Sequence, residues 1–206
     1  MGFMGASASF TRFRIVDEVP QDLWPNIVRR LQANAFRDID ASVDERSFGW
    51  ANFDDMLDST WQAAPPQRAN YLVFSLRLDT RRVPPAVLKK HLTLALREES
   101  ARNAEQNRTF ISRERKKELK EQVVLRLRQR FLPIPAEFNV IWDTDKGHIW
   151  LATTNGKIID MFSELFTVTF DLQLERLTPY ALAQSLLESA QAERLDTIEP
   201  TQFAAE

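Results

Sequence analysis

The chain has 206 residues, 44% of them apolar, with 27 Lys+Arg, 29 Asp+Glu and no cysteine. That length supplies a core for one large domain or two small interlocked ones. The missing cysteine excludes disulfides, a thiolate nucleophile and any Cys-based zinc or iron–sulfur site. The formal charge of −2 hides a division: residues 81–130 hold 15 Lys+Arg against 6 Asp+Glu, and the other 156 residues hold 12 against 23. Charge segregated this far is a statement about partners. Two histidines, His91 and His148, are too few for a His-rich metal site, and no apolar run reaches the ~18 residues of a membrane span. Met1 to Phe10 lacks the basic and apolar parts of a signal peptide, and Ala6 stands where myristoylation wants Ser or Thr. The protein is therefore expected in the cytoplasm.

Alternation over residues 7–16 predicts a strand with Thr11, Phe13 and Ile15 on one face and Arg12, Arg14 and Val16 on the other. Leu23, Trp24, Ile27, Val28 and Leu31 predict a helix from Pro20 to Ala35. A short strand is expected around Phe48-Gly49-Trp50. An acidic loop (Asp54, Asp55, Asp58) and a breaker cluster with Pro65 and Pro66 follow, and then a strand from Tyr71 to Leu78.

Pro84 and Pro85 suit a helix start. Val87, Leu88, His91, Leu92, Ala95 and Leu96 then repeat at helical spacing, whereas Glu98 to Arg108 carries no apolar stripe. A second helix begins near Thr109 or Ser112. Its later half has Leu119, Val123, Leu127 and Phe131 four apart, and Arg113 to Lys120 has charges on every side. Pro133 and Pro135 end it. Phe138 to Trp142 and Ile149 to Thr153 predict a hairpin about the turn residues Asp143 to Gly147. Asn155-Gly156 opens a helix or turn holding Ile158, Ile159, Phe162 and Leu165, and Phe166 to Leu172 is expected as a strand. Thr178-Pro179 looks like an N-cap with Pro at the first helical position, opening a helix to about Ala190. The sum is an α+β fold, mainly antiparallel, with a protruding pair of long basic helices. The expected parts are 1–80, a basic helical insertion 81–132, a C-terminal part 133–190 packing with the first, and a tail 191–206.

Phosphate contact needs positive charge with reach, not regular spacing. Arg81, Arg82, Lys89, Lys90, Arg97, Arg102, Arg108, Arg113, Arg115, Lys116, Lys117 and Lys120 are the candidates. The bland alternative is a solvated helix face laced with ion pairs. No zinc-finger, basic-zipper or RNP motif is present, so backbone binding without base readout is the default. Asp143 and Asp145 suggest half of a two-metal nuclease site, although a hairpin turn uses the same residues. Asp54, Asp55 and Asp58 lack EF-hand spacing and read as a solvated or partner-facing loop. His91 falls on an apolar stripe, and His148 has no serine motif nearby. With five glycines and no phosphate-loop or dinucleotide fingerprint, no cofactor is called for. The five tryptophans read as core, Trp61 being the best candidate for exposure.

In order and spacing the chain resembles the RdgC family of recombination-associated DNA-binding proteins. Ala35-Phe36-Arg37, Phe48-Gly49-Trp50 and Val83-Pro84-Pro85-Ala86-Val87 carry the likeness. So do the run Lys116-Lys117-Glu118-Leu119-Lys120-Glu121 into Val123 and the hairpin Ile141-Trp142-Asp143-Thr144 with Gly147. The likeness spans residues 8 to 175, and familiar members continue for a C-terminal third that this sequence lacks. The resemblance implies a homodimeric ring around duplex DNA, without sequence preference, that restrains the RecA recombinase by occupying its DNA. It also implies an aromatic gate residue near the tip of the long helix, for which Phe131 is the nearest match. The expected protein is thus a nucleoid-associated DNA binder, not an enzyme, with DNA and a second copy of itself as partners. A metal-dependent nuclease using Asp143 and Asp145, or an interaction module for an acidic partner, are the alternatives.

Overall fold

Strict alternation builds the first strand: in β1 (Thr11–Ile15), Thr11, Phe13 and Ile15 are buried while Arg12 is exposed. The computed structural model describes residues 3, 5, 7–62, 64–106, 110–187 and 189–199. They fall into two compact units, one drawn from residues 1–34, 51–76 and 138–206 and the other from 35–50 and 77–137.

In the first unit β1 pairs antiparallel with β6 (His148–Leu151), and on its other side with β7 (Leu174–Arg176). A tight turn ending in Gly147, at φ 64°, joins β6 to β5 (Ile134–Asp143), as the sequence predicts. Helix α4 (Gly156–Phe170) starts on Asn155, whose side chain accepts from the Lys157 N–H at 3.1 Å. The strand expected over Phe166 to Leu172 is absent, and α4 runs on through Phe170. Phe166 and Phe170 prolong the buried stripe of Ile158, Ile159 and Phe162, and that burial outweighs the β-branched Thr167, Val168 and Thr169. The stripe meets an aromatic core: Trp142 lies 5.4 Å from both Phe166 and Phe170, and Phe13 lies 5.4 Å from Phe162. Fully burying each such ring contributes about 1.5–3 kcal/mol.

The helix expected over Pro20–Ala35 is divided. Gln21–Asn26 form a 3-10 turn containing Pro25, and α1 is Ile27–Ala33. Pro25 has no N–H to donate into a continuous helix. Trp61 is 7% exposed, so it belongs to the core and not to the surface. Strand β3 (Gln67–Arg68) turns back onto β4 (Tyr71–Thr80). At the other end Thr178 caps α5 (Pro179–Leu186), accepting from the Ala181 N–H at 3.1 Å. This helix is shorter than predicted: Leu187 is extended, and α6 (Ser189–Leu195) takes up residues read as the start of a tail. Residues 200–206 of that tail lie outside the described residues.

In the second unit β2 (Arg46–Ala51) lies against the Ala35-Phe36 backbone, with the Phe36 N–H donating to the Trp50 carbonyl at 2.8 Å. A Cβ on Gly49 would sit 2.5 Å from the Phe36 nitrogen, so only glycine permits this approach. The Arg77 guanidinium stacks 4.0 Å over Phe36 and pairs with Asp79 at 2.8 Å. Two helices complete the unit: α2 (Pro85–Glu105) and α3 (Arg113–Arg128). Among the described residues the strand order is β2-β4-β5-β6-β1-β7, with β3 beside β4, and the strands β4 and β5 carry the chain from one unit into the other. The fold is α+β on a seven-stranded, mainly antiparallel sheet.

Candidate nucleic-acid interface

Helix α2 continues through the polar stretch after Arg97 without a single buried residue. One side of it is half-buried, from Val87 and Leu88 through His91, Leu92, Ala95 and Leu96 to Glu99 and Asn103. That side packs on α3, whose Leu119, Val123 and Leu127 are buried. The same stripe that reads as apolar at its start thus ends in polar groups, of which Glu99 has its partner on α3. Glu99 takes a two-pronged bond from Arg115, at 2.7 and 3.2 Å, and Arg115 also reaches Glu118 at 3.0 Å. The paired guanidinium holds the Glu99 carboxyl below its usual value, and Glu99 and Glu118 together raise Arg115. Ser112 starts α3, its hydroxyl accepting from the Arg115 N–H at 3.1 Å.

The signs on α3 are sorted. At 100° per residue, Arg113, Lys116, Lys117 and Lys120 share one flank, and Glu114, Glu118, Glu121 and Leu125 share the other. All four cations are exposed. Their row is about 10 Å long and borders the buried stripe. Reading residues 113–120 as charged on every side overlooks this, although the i, i+3, i+4, i+7 spacing carries it. Such a row suits a phosphate backbone, whose negative charges also follow one line.

The other candidates divide by exposure. Arg82, Lys89, Lys90, Arg97 and Arg102 are exposed, and Arg108 lies outside the described residues. Arg81 is corrected: it is 3% exposed, and its guanidinium donates to the carbonyls of Ile39, Asp40, Ser42 and Asp44. Its charge ties down a loop and does not reach a phosphate. Arg115 is half-buried and taken up by two glutamates. Arg126 and Arg130, not singled out in the sequence, are exposed in the same unit, while Arg128 is half-buried and pairs with Glu45.

Phe131 is also corrected. It follows the end of α3, half-buried, with its N–H toward the Arg128 carbonyl, and so lies at the base of the helical pair. The aromatic residue between the two helices is Phe110, 77% exposed, whose carbonyl accepts from the Asn103 side chain at 3.1 Å. The resemblance implies an aromatic near the tip of the long helix, and Phe110, just before α3, stands nearer that tip than Phe131 does.

The acidic candidates are engaged in turns. Asp143 is 5% exposed and accepts from the N–H groups of Asp145 and Lys146, at 3.1 and 3.0 Å. Asp145 accepts from the Asn70 side chain at 2.6 Å. Asp55 and Asp58 accept from Leu57 and Thr60 N–H groups, and Asp54 pairs with Arg68. Among the described residues no group of three His, Asp or Glu side chains is placed to hold a metal ion. No helix among them is long and apolar enough to cross a membrane.

Against known proteins, the family model described as "Putative exonuclease, RdgC" matches residues 10–190. No curated protein matches the chain.

Proposed function

The chain belongs to the RdgC family, whose members are recombination-associated, and from that premise we propose that it binds duplex DNA without sequence preference through the exposed cations of α2 and α3. The observation that carries this reading is the one-sided row Arg113, Lys116, Lys117 and Lys120, set in the basic segment 81–130 of an otherwise acidic chain. Each neutralised phosphate releases counterions, so binding is driven by salt release and carries no sequence information. The protein works as a homodimer in the nucleoid, and by occupying or encircling DNA it restrains RecA-dependent recombination. Support for the dimer and for RecA comes from the family likeness. Phe110, exposed between the helices, takes over the gate role that the likeness suggested for Phe131.

Anisotropy titrations of unrelated duplexes between 50 and 200 mM salt test the reading. Log affinity falls linearly with log salt, with a slope of about −0.9 per phosphate contacted. A flat dependence overturns it. Reversing Arg113, Lys116, Lys117 and Lys120 to Glu weakens every duplex equally, by about 100-fold or more. Loss on some sequences only would mean base readout. The family description raises a nuclease as the second reading, and magnesium with end-labelled DNA decides it. Cleavage abolished by Asp143→Ala would replace DNA occupancy by catalysis.

A further inference from the structure

The cross-strand register of the first unit brings two arginines and two rings onto one sheet face. Arg12 stands directly opposite Trp150, and Arg14 directly opposite His148. All four lie on the sheet face opposite the buried Phe13, Ile149 and Leu151. Leu177, Thr178, Leu182 and Ser185, from the start and one side of α5, wall this face into a pocket of about 210 Å³. Trp150 and His148 are half-buried there, the two rings edge-on at 6.4 Å. Arg14 is bonded to Glu175 at 2.5 Å, which cancels its charge. Arg12 is exposed, and its guanidinium has no hydrogen bond or ion pair among the described residues.

We propose that this pocket binds one unpaired nucleotide of a DNA strand, its base stacked on Trp150 and its phosphate at Arg12. An indole face and an uncommitted guanidinium on adjacent strands match the two chemically distinct ends of a nucleotide. The size selects the form of the ligand. Sites that enclose a whole small molecule measure about 300–1,000 Å³, so this smaller one holds a base while the rest of the strand runs outside. The apolar walls of Leu177 and Leu182 suit the flat face of a base and disfavour a free inorganic anion. The choice of a strand as the source rests on the DNA reading above. The site itself shares no residue with the basic row of α3.

The test compares a blunt duplex with the same duplex carrying a dT12 overhang that contains 5-iododeoxyuridine. Irradiation is expected to cross-link Trp150. Trp150→Leu and, separately, Arg12→Glu weaken the overhang complex about tenfold while leaving the blunt duplex unchanged. Arg12 is exposed, so its variant folds whatever becomes of the tryptophan change. Unchanged overhang affinity in Arg12→Glu, or cross-links confined to α3, overturns the proposal. Equal protection of Trp150 by free dTMP at the same nucleotide concentration also overturns it, in favour of a mononucleotide pocket. Loss of blunt-duplex binding with the Trp150 cross-link intact would sink the duplex reading and leave this one standing.

Discussion

Helices α4 and α2 are both long, and they are held in opposite ways. α4 has 15 residues and buries Ile158, Ile159, Phe162, Phe166, Thr169 and Phe170. α2 has 21 residues and buries none. A helix wedged into an aromatic core is a stability element: its outward positions are few, and its substitutions are read in unfolding experiments. A helix leaning on one neighbour through a half-buried stripe leaves most of its circumference to water. On the proposed function, its substitutions are read in binding. The charge division of the sequence follows the same line, because positive charge placed where nothing is buried costs little desolvation.

The sharpest way to break this comparison is the core itself. Phe166→Ala is expected to lower unfolding free energy by about 3–5 kcal/mol in urea titrations, with the salt slope of DNA binding unchanged under conditions where the protein stays folded. A change in slope would mean that the two properties are not separable.

Adjacent arginines give the next contrast. Arg81→Ala strands four loop carbonyls and should destabilise by about 1–3 kcal/mol, leaving the salt slope as it was. Arg82→Ala should do the reverse, reducing the slope by about 1 with no change in the unfolding midpoint. If the two behave alike, exposure does not sort structural from binding cations.

The smallest effect is at the far end of the helical pair. Ser112→Ala removes the cap of α3 and should cost about 1 kcal/mol locally, seen as faster amide exchange at Arg115 and its neighbours. Acid acts on the same end through Glu99. Its carboxyl is held low by Arg115, so the stabilisation is present above the ordinary glutamate value and fades as pH falls through the lowered one. Carboxyl titration by NMR reads this directly, and an ordinary glutamate value at Glu99 would show that the pair does not form in solution.

Much of the fold is written in local pattern. The alternation of β1, the turn from Asp143 to Gly147 and the Thr178-Pro179 start need only near neighbours, and each forms as the pattern says. What was hidden is what depends on distant residues. Phe166 to Phe170 reads as strand by composition and is helix because Trp142 waits across the core. Arg81 and Arg82 look alike as letters; only the fold puts carbonyls around the first. The Arg12–Trp150 pair joins residues far apart in sequence, and no spacing rule foretells a register. The sorting of charge on α3 was legible all along and required only a helical projection.

The two units are interleaved along the chain, and this has a consequence for how the molecule is made. Residues 35–137 bracket everything in the second unit, whereas β1 finds its partner Leu151 opposite Thr11 only after most of the chain has been synthesised. Emerging from a ribosome, the basic helical pair can complete its hairpin while the first strand is still unpaired, since local contacts close before distant ones. Until β6 arrives, Phe13 and Ile15 are apolar residues without a sheet. The order of synthesis therefore delivers the basic helices before the strands that complete the sheet of the first unit.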